Sequence, residues 1–356
     1  MNEPVTIKRG TELELDIESL AYGGMGLARV ENFVIFVKYA IPGERVLARI
    51  YKKRKGFAEA QVLDKLVESP NSTEVKCNHY WICSKIQSLS YDEQIKEKSA
   101  QVEDAFTRLG GFLDFKLDKV RKADLIYHYR NKMEFTFSPN RWVLESEPEG
   151  VDKSFALGLH IPGRFDKILD INDCHIQPEI GNKILSVARE ICLGNPELRP
   201  YDPRSHIGFL RFLMLRFGAN TGDLMVNIVT SYHDIDKLSP LTDALLDKFP
   251  EVTSLVNNVN TRKADVAFGE YETLLYGKPY IQEKIGDLTF EISANSFFQT
   301  NTTQGEVLYK EIENALGLKG NEVIYDLYCG TGTIGLYLSK NAKEVYGFEV
   351  IRSALD

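Results

Sequence analysis

From Val323 the chain runs Val-Ile-Tyr-Asp-Leu-Tyr-Cys-Gly-Thr-Gly-Thr-Ile-Gly, an apolar run of strand length that enters a glycine-rich turn. After the turn, TIGLYLSKNA reads as a helix and KEVYGFEV as a second strand that ends near Glu349. Strand, turn, helix, strand in this order predicts parallel strands joined by a crossover helix, which places this part of the chain in the α/β class. Gly330, Gly332 and Gly335 permit a tight turn and close approach of a ligand. An acidic residue about 20 positions further on, at a strand end, can accept hydrogen bonds from ribose hydroxyls. A nucleoside-containing cofactor follows, although this glycine spacing suits NAD equally well and also occurs where a turn only packs.

The rest of the chain reads as further domains. Residues 10–67 break into short alternating strands with a glycine cluster at Gly23, Gly24 and Gly26 and a Pro42-Gly43 turn, the pattern of a small OB-like barrel. Residues 68–285 mix strand-like runs with a helical stretch from Ser90, whose Ile95, Val102 and Phe106 fall at helical spacing. The boundaries expected are therefore 1–67, 68–285 and 286–356. The formal net charge of -8 argues against nucleic acid in sum but not in distribution. Residues 1–67 carry 11 Lys and Arg against 9 Asp and Glu, and Lys52, Lys53, Arg54 and Lys55 form one basic run, read either as a phosphate-binding patch or as a solvated turn. The N-terminal residues have neither a signal-peptide pattern nor an apolar span, so a cytoplasmic protein without a membrane partner is expected, taken to be a monomer.

Several motifs carry a resemblance. Gly24-Met25-Gly26 and the run that continues to Ile50 resemble the TRAM domain found in front of RNA-modifying enzymes. Asp326, four residues before Gly330, gives a DxxCGxGT arrangement similar to the first motif of class I methyltransferases, with Glu349 closing the next strand. Ser296-Phe-Phe-Gln-Thr-Asn301, together with Tyr129-Arg-Asn-Lys-Met-Glu-Phe135 and Gly158-Leu-His-Ile-Pro-Gly163, resembles the RNA (uracil-5-)-methyltransferases of tRNA and ribosomal RNA. The resemblance implies an α/β multidomain protein. It would have an OB-like TRAM barrel, a central α/β RNA-binding domain and an incomplete Rossmann-like methyltransferase domain.

The same resemblance implies S-adenosyl-L-methionine as cofactor, lined by Gln299, Asp326, Tyr328, Gly330, Gly332, Thr333 and Glu349, and RNA as partner, with Arg130 and Lys132 beside the basic run. Each residue has a plainer reading: Gln299 as a loop brace, Tyr328 as a core aromatic, Phe297 and Phe298 as packing, Cys329 as a small side chain in the turn. Ribosomal RNA is favoured over tRNA by the appended barrel, an analogy of fold. Cys77 and Cys83, with Cys174 far downstream, resemble the four-cysteine 4Fe–4S site of part of the family, but Ile86 stands at the third position. His79 or His175 is the candidate fourth ligand, and a loop of free thiols is the alternative.

In the family, a cysteine attacks C6 of uracil so that C5 can take the methyl group, and a base then removes the C5 proton. Both groups are expected beyond Asp356, so the sequence reading makes this chain a fragment unable to complete the reaction. A non-catalytic RNA-binding protein and an NAD-dependent oxidoreductase are the competing readings.

Overall fold

The computed structural model describes residues 7–263 and 266–350. The chain forms two compact units, Met1–Lys122 and Ala123–Asp356. In the first, β1 (Glu12–Asp16), β2 (Ser19–Ala21), β3 (Met25–Val30), β4 (Phe33–Lys38), β5 (Arg45–Lys53) and β6 (Phe57–Val67) make one six-stranded barrel-like sheet in the order β1-β5-β6-β4-β3-β2. Period-two alternation builds its interior: Val46, Ala48 and Ile50 of β5 are buried with Ile35 and Val37 of β4 and Ala58 and Ala60 of β6.

Helices α1 (Tyr80–Cys83) and α2 (Tyr91–Asp104) follow, the second continuing into a π-helical turn at Ala105–Leu109. The helix lies where the spacing predicts it, but Val102 is 40% and Phe106 46% exposed, the latter meeting the rings of Phe112 and Phe115. Polar contacts dock it, with Glu97 Oε2 accepting from Leu20 N at 2.9 Å and Gln101 Nε2 donating to Leu20 O at 3.3 Å. Too few apolar residues fall between the charged ones of α2 to make a stripe wide enough for burial.

The second unit begins with β7 (Lys132–Ser138), β8 (Arg141–Trp142), β9 (Ala156–His160), β10 (Ile168–Asp170), α3 (Glu179–Gly194), β11 (Leu210–Phe217), β12 (Leu224–Thr230), α4 (Ile235–Lys248), β13 (Ser254–Val259) and β14 (Tyr271–Gly277). Its eight strands are ordered β14-β13-β12-β11-β7-β9-β10-β8, and β12 and β13 are parallel across the α4 crossover. Every residue of β11, β12 and β13 is buried, because both faces are covered. Leu213, Leu215, Val226, Ile228 and Leu255 face a core shared with Ile184, Leu185 and Ala188 of α3 and Leu238, Leu241 and Leu245 of α4.

The chain then forms β15 (Tyr280–Ile285), β16 (Leu288–Ser293), α5 (Thr302–Leu316), β17 (Val323–Leu327), α6 (Thr333–Ser339) and β18 (Glu344–Phe348). Here the strand, helix, strand order read from the sequence is reproduced, with β17 and β18 parallel and in register from Val323↔Glu344 to Leu327↔Phe348. Met225 and Val256, on the second face of the central sheet, enter one apolar cluster with Ile281, Ile285, Phe298, Tyr309 and Tyr337. The segment that bears the glycine turn is thereby packed on the central sheet.

Candidate cofactor site

The turn between β17 and α6 is built by backbone geometry that most side chains resist. Tyr328, Gly330 and Gly332 have φ of 61°, 55° and 72°, and only glycine adopts such values without strain. A Cβ at Gly330 would meet nothing within 4 Å, so the space above the turn is open. At Gly335 a Cβ would come within 3.0 Å of Asp326 Oδ2 and 3.1 Å of Val345 Cγ1, which is why helix α6 can approach the strands so closely there. Tyr328 is 86% exposed and is therefore no core aromatic.

The two carboxylates frame this turn. Asp326 Oδ2 accepts from Gly335 N at 3.0 Å, in the first turn of α6, where aligned amides favour negative charge. Glu349 Oε2 accepts from Gly330 N at 3.0 Å, and Cys329 N donates to Phe348 O at 3.0 Å, tying the turn to the end of β18. Burial and the charges of Asp326 and Glu349 push the Cys329 thiol up from its ordinary value. A thiol so placed stays protonated near neutrality and is no nucleophile. Thr333 Oγ1 is 2.8 Å from Tyr309 OH, which joins the start of α6 to α5.

Gln299 lies in the irregular segment between β16 and α5, half-buried, with its Cβ 3.5 Å from where a Cβ on Gly305 would stand. Its neighbours divide: Phe298 is buried in the apolar cluster, whereas Phe297 is 70% exposed. Asn301 caps α5 by accepting from Gln304 N at 3.1 Å. Thr302 Oγ1 donates to the fully buried Glu283 at 2.7 Å, and Glu283 also accepts from Ala219 N and Asn220 N. Asn131 and Arg216, from the central sheet, donate to the carbonyls of the Gln299 segment. Sequence reading missed Asn131, Arg216 and Glu283 as parts of this site; Asn131 stands inside the quoted Tyr129–Phe135 motif, the one signal that pointed to it.

The donor set fits an S-adenosyl-L-methionine molecule. Carboxylates at Asp326 and Glu349 suit a sulfonium, an ammonium and a ribose diol, the backbone amides suit a carboxylate, and the open face at Gly330 leaves room for the nucleoside.

Known proteins bear on this geometry. The TRAM domain family model matches residues 7–63, which span the barrel of the first unit. An uncharacterized RNA methyltransferase of Porphyromonas gingivalis is 38% identical over 352 residues, a match that covers 96% of this chain and 75% of the relative. The chain belongs to the RNA (uracil-5-)-methyltransferase family. A second member, an uncharacterized RNA methyltransferase of Chlorobaculum tepidum, is 43% identical over 88% of this chain and 66% of its own length. The chain thus spans about two thirds to three quarters of the length of these relatives. Among solved members, the Pyrococcus abyssi tRNA (uracil-54, C5)-methyltransferase in complex with S-adenosyl-L-homocysteine superposes with a TM-score of 0.71 at 25% identity, covering 96% of this chain and 74% of that one.

The remaining candidates of this family member lie elsewhere. In the first unit, Lys52 pairs with Glu59, Lys53 Nζ donates to Ile7 O at 2.8 Å, and Arg54 and Lys55 are exposed between β5 and β6. In the second, Arg130 Nε donates to Lys132 O at 2.9 Å and Lys132 pairs with Glu134 at 2.5 Å. Cys77 is buried beside Gln87, Cys83 is exposed, and Cys174, in the second unit, is buried with its N–H donating to Asn182 Oδ1 at 2.9 Å. Among the described residues no group of three or more His, Cys, Asp or Glu side chains forms a metal site. Within each unit taken by itself the residues do not fit a 4Fe–4S cluster, and no step is derived through one. Among the described residues no helix is long and apolar enough to cross a membrane.

Proposed function

We propose that this chain binds S-adenosyl-L-methionine at the Tyr328–Thr333 turn and serves methylation of uridine C5 in RNA, with ribosomal RNA favoured over tRNA. The observation that carries the reading is the open glycine turn framed by Asp326 and Glu349, in a member of this family. The bound cofactor supplies an electrophilic methyl group on sulfur. Glu349 is the acceptor for the ribose hydroxyls, Asp326 faces the cationic end, and Gln299 and Tyr328 border the site. Tyr328, with its exposed ring, offers a face to an adenine or a splayed-out base. Lys52–Lys55, Arg130 and Lys132 are the candidate phosphate contacts, positive groups that would position RNA without reading its sequence. Cys329, its thiol pushed up by burial and then by its two carboxylate neighbours, has no nucleophilic part in this scheme.

The test is nucleoside mass spectrometry of ribosomal RNA and tRNA after deletion of the gene. Loss of 5-methyluridine from ribosomal RNA is expected. Loss from tRNA alone would reassign the substrate, and unchanged 5-methyluridine in both would overturn the reading.

A further inference from the structure

The segment 294–300 between β16 and α5 has no strand of its own to pair with, so its carbonyls need partners from elsewhere. The central sheet supplies them. Arg216, at the end of β11, donates through Nε and Nη2 to Ala294 O at 3.2 and 3.1 Å, and through Nη2 to Ser296 O. Asn131, just before β7, donates through Nδ2 to Gln299 O at 2.9 Å and to Thr302 Oγ1 at 2.8 Å, and its N–H donates to Thr300 O at 2.9 Å. The two residues are neighbours in the sheet: Arg216 is in register with Lys132, and Phe217 N donates to Asn131 O at 2.9 Å. Arg216 is 4% and Asn131 7% exposed. A buried guanidinium is an expensive way to fill space, and apolar residues of similar volume generally serve stability as well or better. Its planar fork does what they cannot, which is to fix two carbonyls two residues apart in one orientation.

We propose that Arg216 and Asn131 are positioning residues for the methyl donor: they lock the backbone on both sides of Gln299 to the buried sheet, so that Gln299 stands ready for the cofactor. The inference rests on the cofactor reading given above. On the far side Gln299 lies against α5, where a Cβ on Gly305 would stand 3.5 Å from its own Cβ, and α5 carries the same order on to Tyr309 and Thr333 at the glycine turn. Rigid support of this kind matters because a displaced ligand group loses affinity without any change in its chemistry.

The test is calorimetric titration of the full chain with S-adenosyl-L-homocysteine in Asn131→Ser, Arg216→Lys, Gln299→Ala and the two double variants that combine each clamp change with Gln299→Ala. Residues that act through a third show non-additive losses. We expect a loss of tenfold or more in each single variant, and no further loss when either clamp change is added to Gln299→Ala. A merely structural role would instead lower the melting temperature and leave the losses additive. Unchanged affinity in Asn131→Ser and Arg216→Lys, or additivity with Gln299→Ala, overturns the clamp alone. Failure of the unsubstituted chain to bind overturns the cofactor reading and the clamp with it. Should Asn131→Ser not fold, the Arg216→Lys pair decides by the same criteria.

Discussion

Two sets of strands in the second unit look alike in sequence and differ in surroundings. LRFLMLRF of β11 and LMVNIVT of β12 are buried at every position, while VIYDL of β17 and EVYGF of β18 leave Tyr325, Leu327 and Phe348 at least half exposed. An apolar run tells how a strand wants to be placed; the layers around it decide whether it is. The difference divides the candidate site as well. Its Gln299 side is fixed to the buried central strands, whereas its glycine turn stands on the exposed strands, braced among them by Gly335–Asp326 and Gly330–Glu349 and tied to α5 by Tyr309–Thr333. The turn half adds to these hydrogen bonds, worth about 1 kcal/mol each, the apolar packing of Ile324, Ile334, Tyr337 and Leu338 in the cluster shared with Met225 and Val256.

The comparison is broken most directly by truncating one side chain in each set. Leu213 is fully buried between α3, α4 and the sheet, so Leu213→Ala removes methyl groups and leaves a cavity, with an expected loss of about 2–5 kcal/mol. Tyr325 is 63% exposed and its ring meets those of Tyr346 and Phe348, so Tyr325→Ser should cost about 1 kcal/mol, well below the loss at Leu213. Denaturant midpoints followed on the second unit measure both. Equal losses would mean that β17 is covered in solution and would end the contrast.

The next effect sharpens the contrast at the turn. Asp326→Asn keeps the shape of the side chain but removes the charge that Gly335 N meets at the start of α6. Affinity for S-adenosyl-L-homocysteine should fall tenfold or more, about 1.4 kcal/mol, with a melting temperature within a degree or two of the parent. A large drop in melting temperature with affinity intact would make Asp326 a brace of the exposed strands only.

Much of this was legible beforehand, for physical reasons that can be named. The barrel strands alternate with period two because one face is buried, the glycines at 330 and 332 announce a turn with positive φ, and the glycine at 335 a close approach of helix to strand. The α5, β17, α6, β18 order followed from the length and spacing of the runs. Arg216 and Asn131 were not legible, because a buried Arg in an apolar strand and an Asn beside two cations look like surface residues until the carbonyls they meet are known. The spacing of Ile95 and Val102 located α2, but spacing alone does not tell how far such residues are covered, and no residue of that helix is buried. The continuous packing of Met225 and Val256 with residues beyond β15 likewise depends on which face of the sheet is covered, and that is a property of the assembled layers.

The smallest effect compares two cysteines across the same divide. Cys192 of α3 lies in the core, where burial alone pushes its thiol up to about 12 from an ordinary 9.0, while Cys329 in the open turn is raised chiefly by burial and then by its two carboxylates. In the unfolded chain Cys192 ionises near its ordinary value, so between roughly pH 9 and 12 the unfolded state binds fewer protons than the folded one. The stability this thiol contributes is full below pH 9 and is lost as pH rises, at a limiting slope of about 1.4 kcal/mol per pH unit. Cys192→Ala removes that slope whatever it does to stability at neutral pH. Unfolding of both proteins at pH 8 and pH 10 should therefore show the parent losing about 1 kcal/mol more than the variant over the interval. Parallel losses would place water at Cys192 and make the α3 side of the sheet as open as the turn.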